Sequence, residues 1–173
     1  MRTTGRTRHA TTQRRKLVWA DSQGAISPLG VAPAGFLNNC LQGYAAAGGS
    51  RAGMTVMRIH ATFGVNYTPT TAVGTAEGID VGFVIEDDSS VATELHTNKL
   101  YLDWMLLKTV YAAQPGAITT GGGTPSLTTT FELDLRAKRK CQELNQTLWL
   151  VLGARTGTVT GVNFHIRTLI ALP

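Results

Sequence analysis

The chain predicts an all-β fold: an antiparallel β-sandwich, a single jelly roll with at most one or two short helices, preceded by a flexible basic N-terminal arm. Three observations predict it. Apolar and polar residues alternate with period two along several long runs, the pattern of a strand with one buried and one wet face. The runs are separated by long loops rich in Gly, Pro and Thr. No helical pattern recurs between strands, so the βαβ rhythm of a parallel sheet is excluded, and a sandwich of jelly-roll or Greek-key kind remains.

The arm comes first. Residues 1–16, MRTTGRTRHATTQRRK, carry Arg2, Arg6, Arg8, Arg14, Arg15 and Lys16 and no carboxylate. The whole chain has 16 Lys+Arg and 11 Asp+Glu, so residues 17–173 hold ten bases against eleven acids, a net −1. The positive charge therefore belongs to the arm, and the body is near neutral. Such asymmetry marks an arm for nucleic acid or a membrane surface on a separate domain. The arm has too little apolar surface to offset the entropy of ordering it. It has no apolar face for an amphipathic presequence and no apolar core for a secretory signal. A membrane-surface segment would interleave Trp, Phe or Leu with its cations, and the first of these is Leu17. Phosphate neutralisation needs only tethered cations. With no aromatic before Trp19, the arm is expected to bind backbone without reading bases.

The body follows as a second unit, residues 17–173. RKLVWA (15–20) predicts a short first strand, and GAISPLGVAPAG (24–35) a linking loop. FLNNCLQGYAAAGGS (36–50) is ambiguous, because Phe36, Leu37, Cys40, Leu41 and Tyr44 recur at helical spacing. AGMTVMRIHATFGVNY (52–67) alternates Met57, Ile59, Ala61, Phe63, Val65 and Tyr67 against Arg58, His60, Thr62, Gly64 and Asn66, a long half-buried strand. IDVGFVIED (79–87) predicts another, closed by a polar turn. KLYLDWMLLKTVYA (99–112) reads as mainly strand, with room for a helical turn before it. LTTTFELDLRAK (127–138) alternates again, with Leu127, Thr129, Phe131, Leu133, Leu135 and Ala137 inward. TLWLVLGAR (147–155) predicts a buried strand, GTVTG (157–161) a turn, and VNFHIRTLIAL (162–172) a last alternating strand.

Little in the body points to chemistry. GGGTPS (121–126) lacks the Lys-Ser/Thr and following helix of a phosphate-binding loop. The four histidines, His9, His60, His96 and His165, have no partner at metal-ligand spacing, and EDDSS (86–90) lacks the ligand ladder of a calcium loop. No nucleophile elbow or zinc-protease motif occurs, and no carboxylate pair stands out among Asp80, Glu86, Asp103, Glu132 and Asp134. The expectation is a non-enzyme with no catalytic residue, metal or cofactor. Cys40 and Cys141 read as free thiols in a reducing compartment. No run is long enough to span a membrane. A second basic cluster, Arg136, Lys138, Arg139 and Lys140, ends the 127–138 run. It faces nucleic acid or an acidic neighbour, or else pairs with carboxylates on its own sheet.

The layout resembles that of small icosahedral virus coat proteins. The resemblance is carried by RTTGRTRHATTQRRK followed at once by LVWA, by ELDLRAKRKCQELNQTLWLVL, and by IRTLIALP at the end. It implies a jelly-roll shell domain whose copies form a symmetric homo-oligomeric shell. It also implies genome contact, DNA or RNA and independent of sequence, through Arg2, Arg6, Arg8, Arg14, Arg15 and Lys16. The implied location is the virion, assembled in the host cytoplasm or nucleus, with no membrane partner. A chain with only 16% charged residues suits burial of the body against its own copies. The rival readings are a phage head-decoration protein and a nucleic-acid-binding module acting as monomer or dimer.

Overall fold

The computed structural model describes residues 15–27, 36–44, 51–67, 78–87, 105–111, 127–155 and 159–173. Within them lie eight strands and no helix: β1 (Leu17–Ile26), β2 (Phe36–Asn39), β3 (Thr55–Tyr67), β4 (Gly78–Glu86), β5 (Leu106–Tyr111), β6 (Leu127–Lys140), β7 (Thr147–Ala154) and β8 (Val159–Ala171). They make two four-stranded sheets, β1-β8-β3-β6 and β2-β7-β4-β5. Every pairing is antiparallel.

The order has a simple generator. β1 pairs with β8, β2 with β7, β3 with β6 and β4 with β5. The chain is thus one long hairpin doubled on itself. Rolling that ribbon adds the pairs β3·β8 and β4·β7 and splits it into two facing sheets. This winding is the jelly roll.

The period-two runs place the core. On the first sheet, Ile59, Ala61, Phe63 and Val65 of β3 and Val162, Phe164, Ile166 and Ile170 of β8 are buried. On the second, Ile79, Val81 and Phe83 of β4 and Leu148, Leu150 and Leu152 of β7 are buried. Burying each such side chain contributes about 1.5–3 kcal/mol before entropy is subtracted. The Phe63 ring stacks on Phe131 at 4.9 Å, and Phe36 of the opposite sheet meets Phe164 at 5.9 Å. Gly24 makes room for that cluster, since a Cβ there would stand 2.6 Å from the Phe164 ring.

Several expectations are corrected at their edges. The first strand runs to Ile26 rather than Ala20, because its polar residues Asp21 and Gln23 sit on the wet face of an edge strand. The loop expected over 24–35 therefore starts after Ile26, and residues 28–35 lie outside the described residues. The helical spacing from Phe36 does not make a helix. Phe36–Asn39 is β2, and the chain then turns, with Asn39 Oδ1 accepting from Leu41 N at 3.0 Å. Residues 45–50 of that ambiguous stretch lie outside the described residues, as do residues 99–104. The turn expected at 157–161 is partly strand, since β8 begins at Val159. Met57 is only half-buried, because the register shifts between Val56 and Arg58 and transfers the core position to Val56.

Both cysteines are free and buried. Burial pushes the Cys40 thiol up to about 12, against smaller opposing hydrogen bonds from Asn38 and Leu150. Burial also raises Cys141, with the nearby Arg51 cation opposing it. Both are inert thiols at neutral pH.

One core position is imperfect. Thr168 points inward among Ala20, Ile59 and Ile166, is fully buried, and its Oγ1 has no hydrogen-bond partner among the described residues. Thr168→Val keeps the shape and removes the orphan hydroxyl. It should stabilise the fold by about 1 kcal/mol, read as a higher urea midpoint at unchanged slope. A lower midpoint would mean that the hydroxyl is satisfied.

Candidate nucleic-acid interface

Arg2, Arg6, Arg8 and Arg14 lie outside the described residues. Arg15 and Lys16 do not, and both are already tied to the first sheet. Leu172 N donates to Lys16 O at 2.9 Å, extending the β1·β8 ladder. The Arg15 side chain crosses the end of β8, where Nη1 donates to Thr55 Oγ1 at 3.3 Å.

That contact joins the two basic clusters. Thr55 lies opposite Ala171 of β8 on one side and Lys140 of β6 on the other, and Leu17 lies opposite Ala171. The starts of β1 and β3 and the ends of β6 and β8 therefore share one end of the sheet. Arg15 reaches Thr55, one strand spacing of about 4.8 Å from Lys140. Residues more than a hundred positions apart form one cationic end.

Charge is graded along the outer face of this sheet. Farthest from the arm, the face is neutral, with Asn163, Gly64, Thr130 and a hydrogen bond from Thr128 Oγ1 to Asn66 Oδ1 at 2.7 Å. In the middle, cations meet carboxylates. Arg58 Nε donates to Asp134 Oδ1 at 2.7 Å, and Arg167 Nε stands 3.3 Å from Asp21. Arg167 also covers the Trp19 ring at 4.9 Å. The hydrogen bond from Arg58 holds the Asp134 carboxyl below the usual carboxylate range, so this cross-strand pair is lost only in stronger acid. At the arm end the balance disappears. Among the described residues no carboxylate lies within ion-pair distance of Lys16, Arg136, Lys138 or Lys140. Arg136 faces Arg58 across the ladder rather than an acid.

The cluster spans a bulge. Between Arg58↔Arg136 and Val56↔Arg139, β6 places Ala137 and Lys138 against Met57 alone. Alternation along β6 still holds: Arg136 and Lys140 lie on the outer side, Lys140 opposite Thr55, while Arg139 lies opposite the core residue Val56 and turns to the gap between the sheets. Across that gap the second sheet contributes Ile85, Glu86 and Met105, and the 141–146 turn adds Gln142 and Gln146. Together with Lys138, Arg139 and Lys140 they line an open groove of about 380 Å³. The sequence holds no local signal for this groove, because its walls come from different sheets.

The other candidates come apart. His60 and His165 lie on adjacent strands one register step apart, since His165 faces Thr62 and His60 faces Arg167. His60 stands 4.0 Å from Glu132 and His165 3.4 Å from Asp21, each beside its own carboxylate. Among the described residues no three His, Cys, Asp or Glu side chains gather as a metal site. His9, His96, 88–90 and 121–126 lie outside those residues. Asp80 is the one carboxylate with a distinctive setting. It is 1% exposed, accepts from Arg155 Nε at 3.0 Å, and is bonded by Thr109 Oγ1. It braces β4, β5 and the end of β7, far from the cationic end.

No protein-family model and no curated protein matches the chain. Solved structures do resemble it. A structure of Cocksfoot mottle virus aligns over 99% of this chain and 89% of that one, at 14% identity and a TM-score of 0.40. Desmodium yellow mottle tymovirus aligns over 91% and 87%, at 12% identity and 0.33. An arabinose-bound α-L-arabinofuranosidase aligns over 87% of this chain but 22% of its own, at 13% identity and 0.36. At such scores the strand order, and not the likeness, identifies the fold.

Proposed function

We propose that this chain is the coat protein of a small icosahedral virus or phage. Its copies close into a shell, and its arm holds nucleic acid without reading sequence. One observation carries the reading: Lys16, Arg136, Lys138 and Lys140, with no carboxylate at ion-pair distance among the described residues, gather at the end of the jelly roll from which the arm departs. Farther along the outer face of the same sheet, the charges of the described residues are paired or absent. Such a brick has one pole for phosphate and neutral flanks for its own kind. Leu17, Trp19 and Leu144 remain exposed on the single chain, at 57%, 37% and 66%, as subunit contacts require. The proposed location is the virion.

A nucleic-acid-binding module acting as monomer or dimer is the second reading, favoured by the position of Lys138 and Lys140 on the folded body. Light scattering and electron microscopy of the purified full chain separate the two. The shell reading expects closed particles containing nucleic acid. A monomer or dimer at every salt and protein concentration leaves the module. Assembly only on another protein's lattice would make it a decoration protein.

A further inference from the structure

We propose that the groove at the arm end of the sandwich binds one nucleotide of a single strand, the phosphate on Lys138 and Lys140 and the base over Ile85 and Met105. The inference rests on the nucleic-acid reading above and adds to it a site on the folded body that engages the base.

The groove differs from a patch of surface lysines in having two chemically distinct walls. The β6 wall is cationic, with Lys138, Arg139 and Lys140 at the bulged end of the strand lining one volume. The facing wall is half apolar. Ile85 and Met105 are partly buried and packed on the core, so their positions are set by the sandwich. A thioether and a branched aliphatic side chain suit the flat face of a base, sulfur–aromatic contact included. Phosphate alone would have no use for that wall.

The remaining lining residues agree in kind. Gln146 Oε1 accepts from the backbone N–H groups of Gln142 at 2.7 Å and Glu143 at 3.3 Å. This fixes the amide, so that what it can offer a ligand is its Nε2 donor, suited to a base carbonyl or ring nitrogen. Glu86 stands on the wall opposite the lysines. Its carboxylate repels phosphate toward β6 and can accept from an exocyclic amine. A volume near 380 Å³ is at the small end of ligand sites, enough for a nucleotide and far too narrow for a duplex. Arg15, at the junction of arm and body, is bonded to Thr55 opposite Lys140, so the arm is tethered at the same end as this groove.

The test uses the full chain and a hexathymidylate probe. Ultraviolet cross-linking should map to Met105 or to the peptide spanning 138–146. The double variant Lys138→Ala/Lys140→Ala should weaken hexathymidylate binding about tenfold and reduce the salt slope by about 1.4–1.8. Both lysines are exposed, so its unfolding midpoint should match the parent. Thymidine monophosphate should compete at concentrations at least tenfold below inorganic phosphate. Equal competition by the two would reduce the groove to a simple anion site and overturn the assignment. If Arg2, Arg6, Arg8 and Arg14→Gln abolishes binding while the lysine variant binds and cross-links as the parent does, the groove proposal falls and the coat reading stands. If neither variant changes binding, the nucleic-acid reading falls as well, and the groove with it.

Discussion

Replacing Arg2, Arg6, Arg8, Arg14, Arg15 and Lys16 together by Gln is expected to remove most of the chain's affinity for nucleic acid while leaving its fold intact. Each cation that neutralises a phosphate contributes about 0.7–0.9 to the slope of log affinity against log salt, so six should lower that slope by roughly 4–5. Over a fourfold rise in salt, a slope of that size is worth a few hundredfold in affinity. The loss should be the same for unrelated sequences, because cations without interleaved aromatics contact backbone only. Stability should barely move, since among the described residues the side chains involved contribute one hydrogen bond, from Arg15 to Thr55, and no core contact. If particles form, they should form empty. Binding that weakens with an unchanged salt slope would mean that the arm acts through something other than phosphate.

The largest stability effect is expected at Arg155→Ala. The Asp80 carboxylate is almost wholly buried, whereas its partner guanidinium is 40% exposed. Removing Arg155 takes the guanidinium from a buried charge and also deletes the bond by which Arg155 Nη2 donates to Thr109 Oγ1 at 3.0 Å, leaving the bond from Thr109 to Asp80 in place. Breaking a buried pair in this way costs about 3–5 kcal/mol. The opposite deletion, Asp80→Ala, should cost less, because Arg155 can turn to water. The penalty should also depend on pH in a definite sense. Without the guanidinium, a carboxylate this deeply buried is disfavoured against its neutral acid. Protonation then favours the folded form, so the deficit of Arg155→Ala should shrink as pH falls toward 4 and grow toward neutrality. Urea midpoints at pH 4.5 and 7.5 measure this. A deficit that does not change with pH would indicate lost packing rather than an exposed charge imbalance.

Particular residues show how far the sequence carries. The alternation from Ile59 to Tyr67 and from Val162 to Ile166 named the buried faces correctly, because a half-buried strand leaves its period in the local order of residues. Where strands sit at an edge, the period weakens. The inward residues of β6, Phe131 and Leu133 among them, are only half-buried, and β1 hid its second half behind Asp21 and Gln23. The helical spacing around Cys40 had no helix behind it, since a four-residue strand followed by a turn places apolar groups at similar intervals. Met57 was assigned to the core by parity and lost that place to a bulge, which no single strand can announce.

Composition and local order alone determined that the protein is built of strands, that its positive charge is concentrated in the first sixteen residues, and which side of each long strand faces inward. These depend on neighbours in sequence. Only the tertiary structure decided that Arg15 and Lys140 share one end of a sheet, and that Ile85 and Met105 face those cations across a groove. Those relations come from rolling a doubled ribbon into two sheets, which brings together residues a hundred positions apart. Pairing partners are chosen by the global register, and nothing in either segment alone specifies the other.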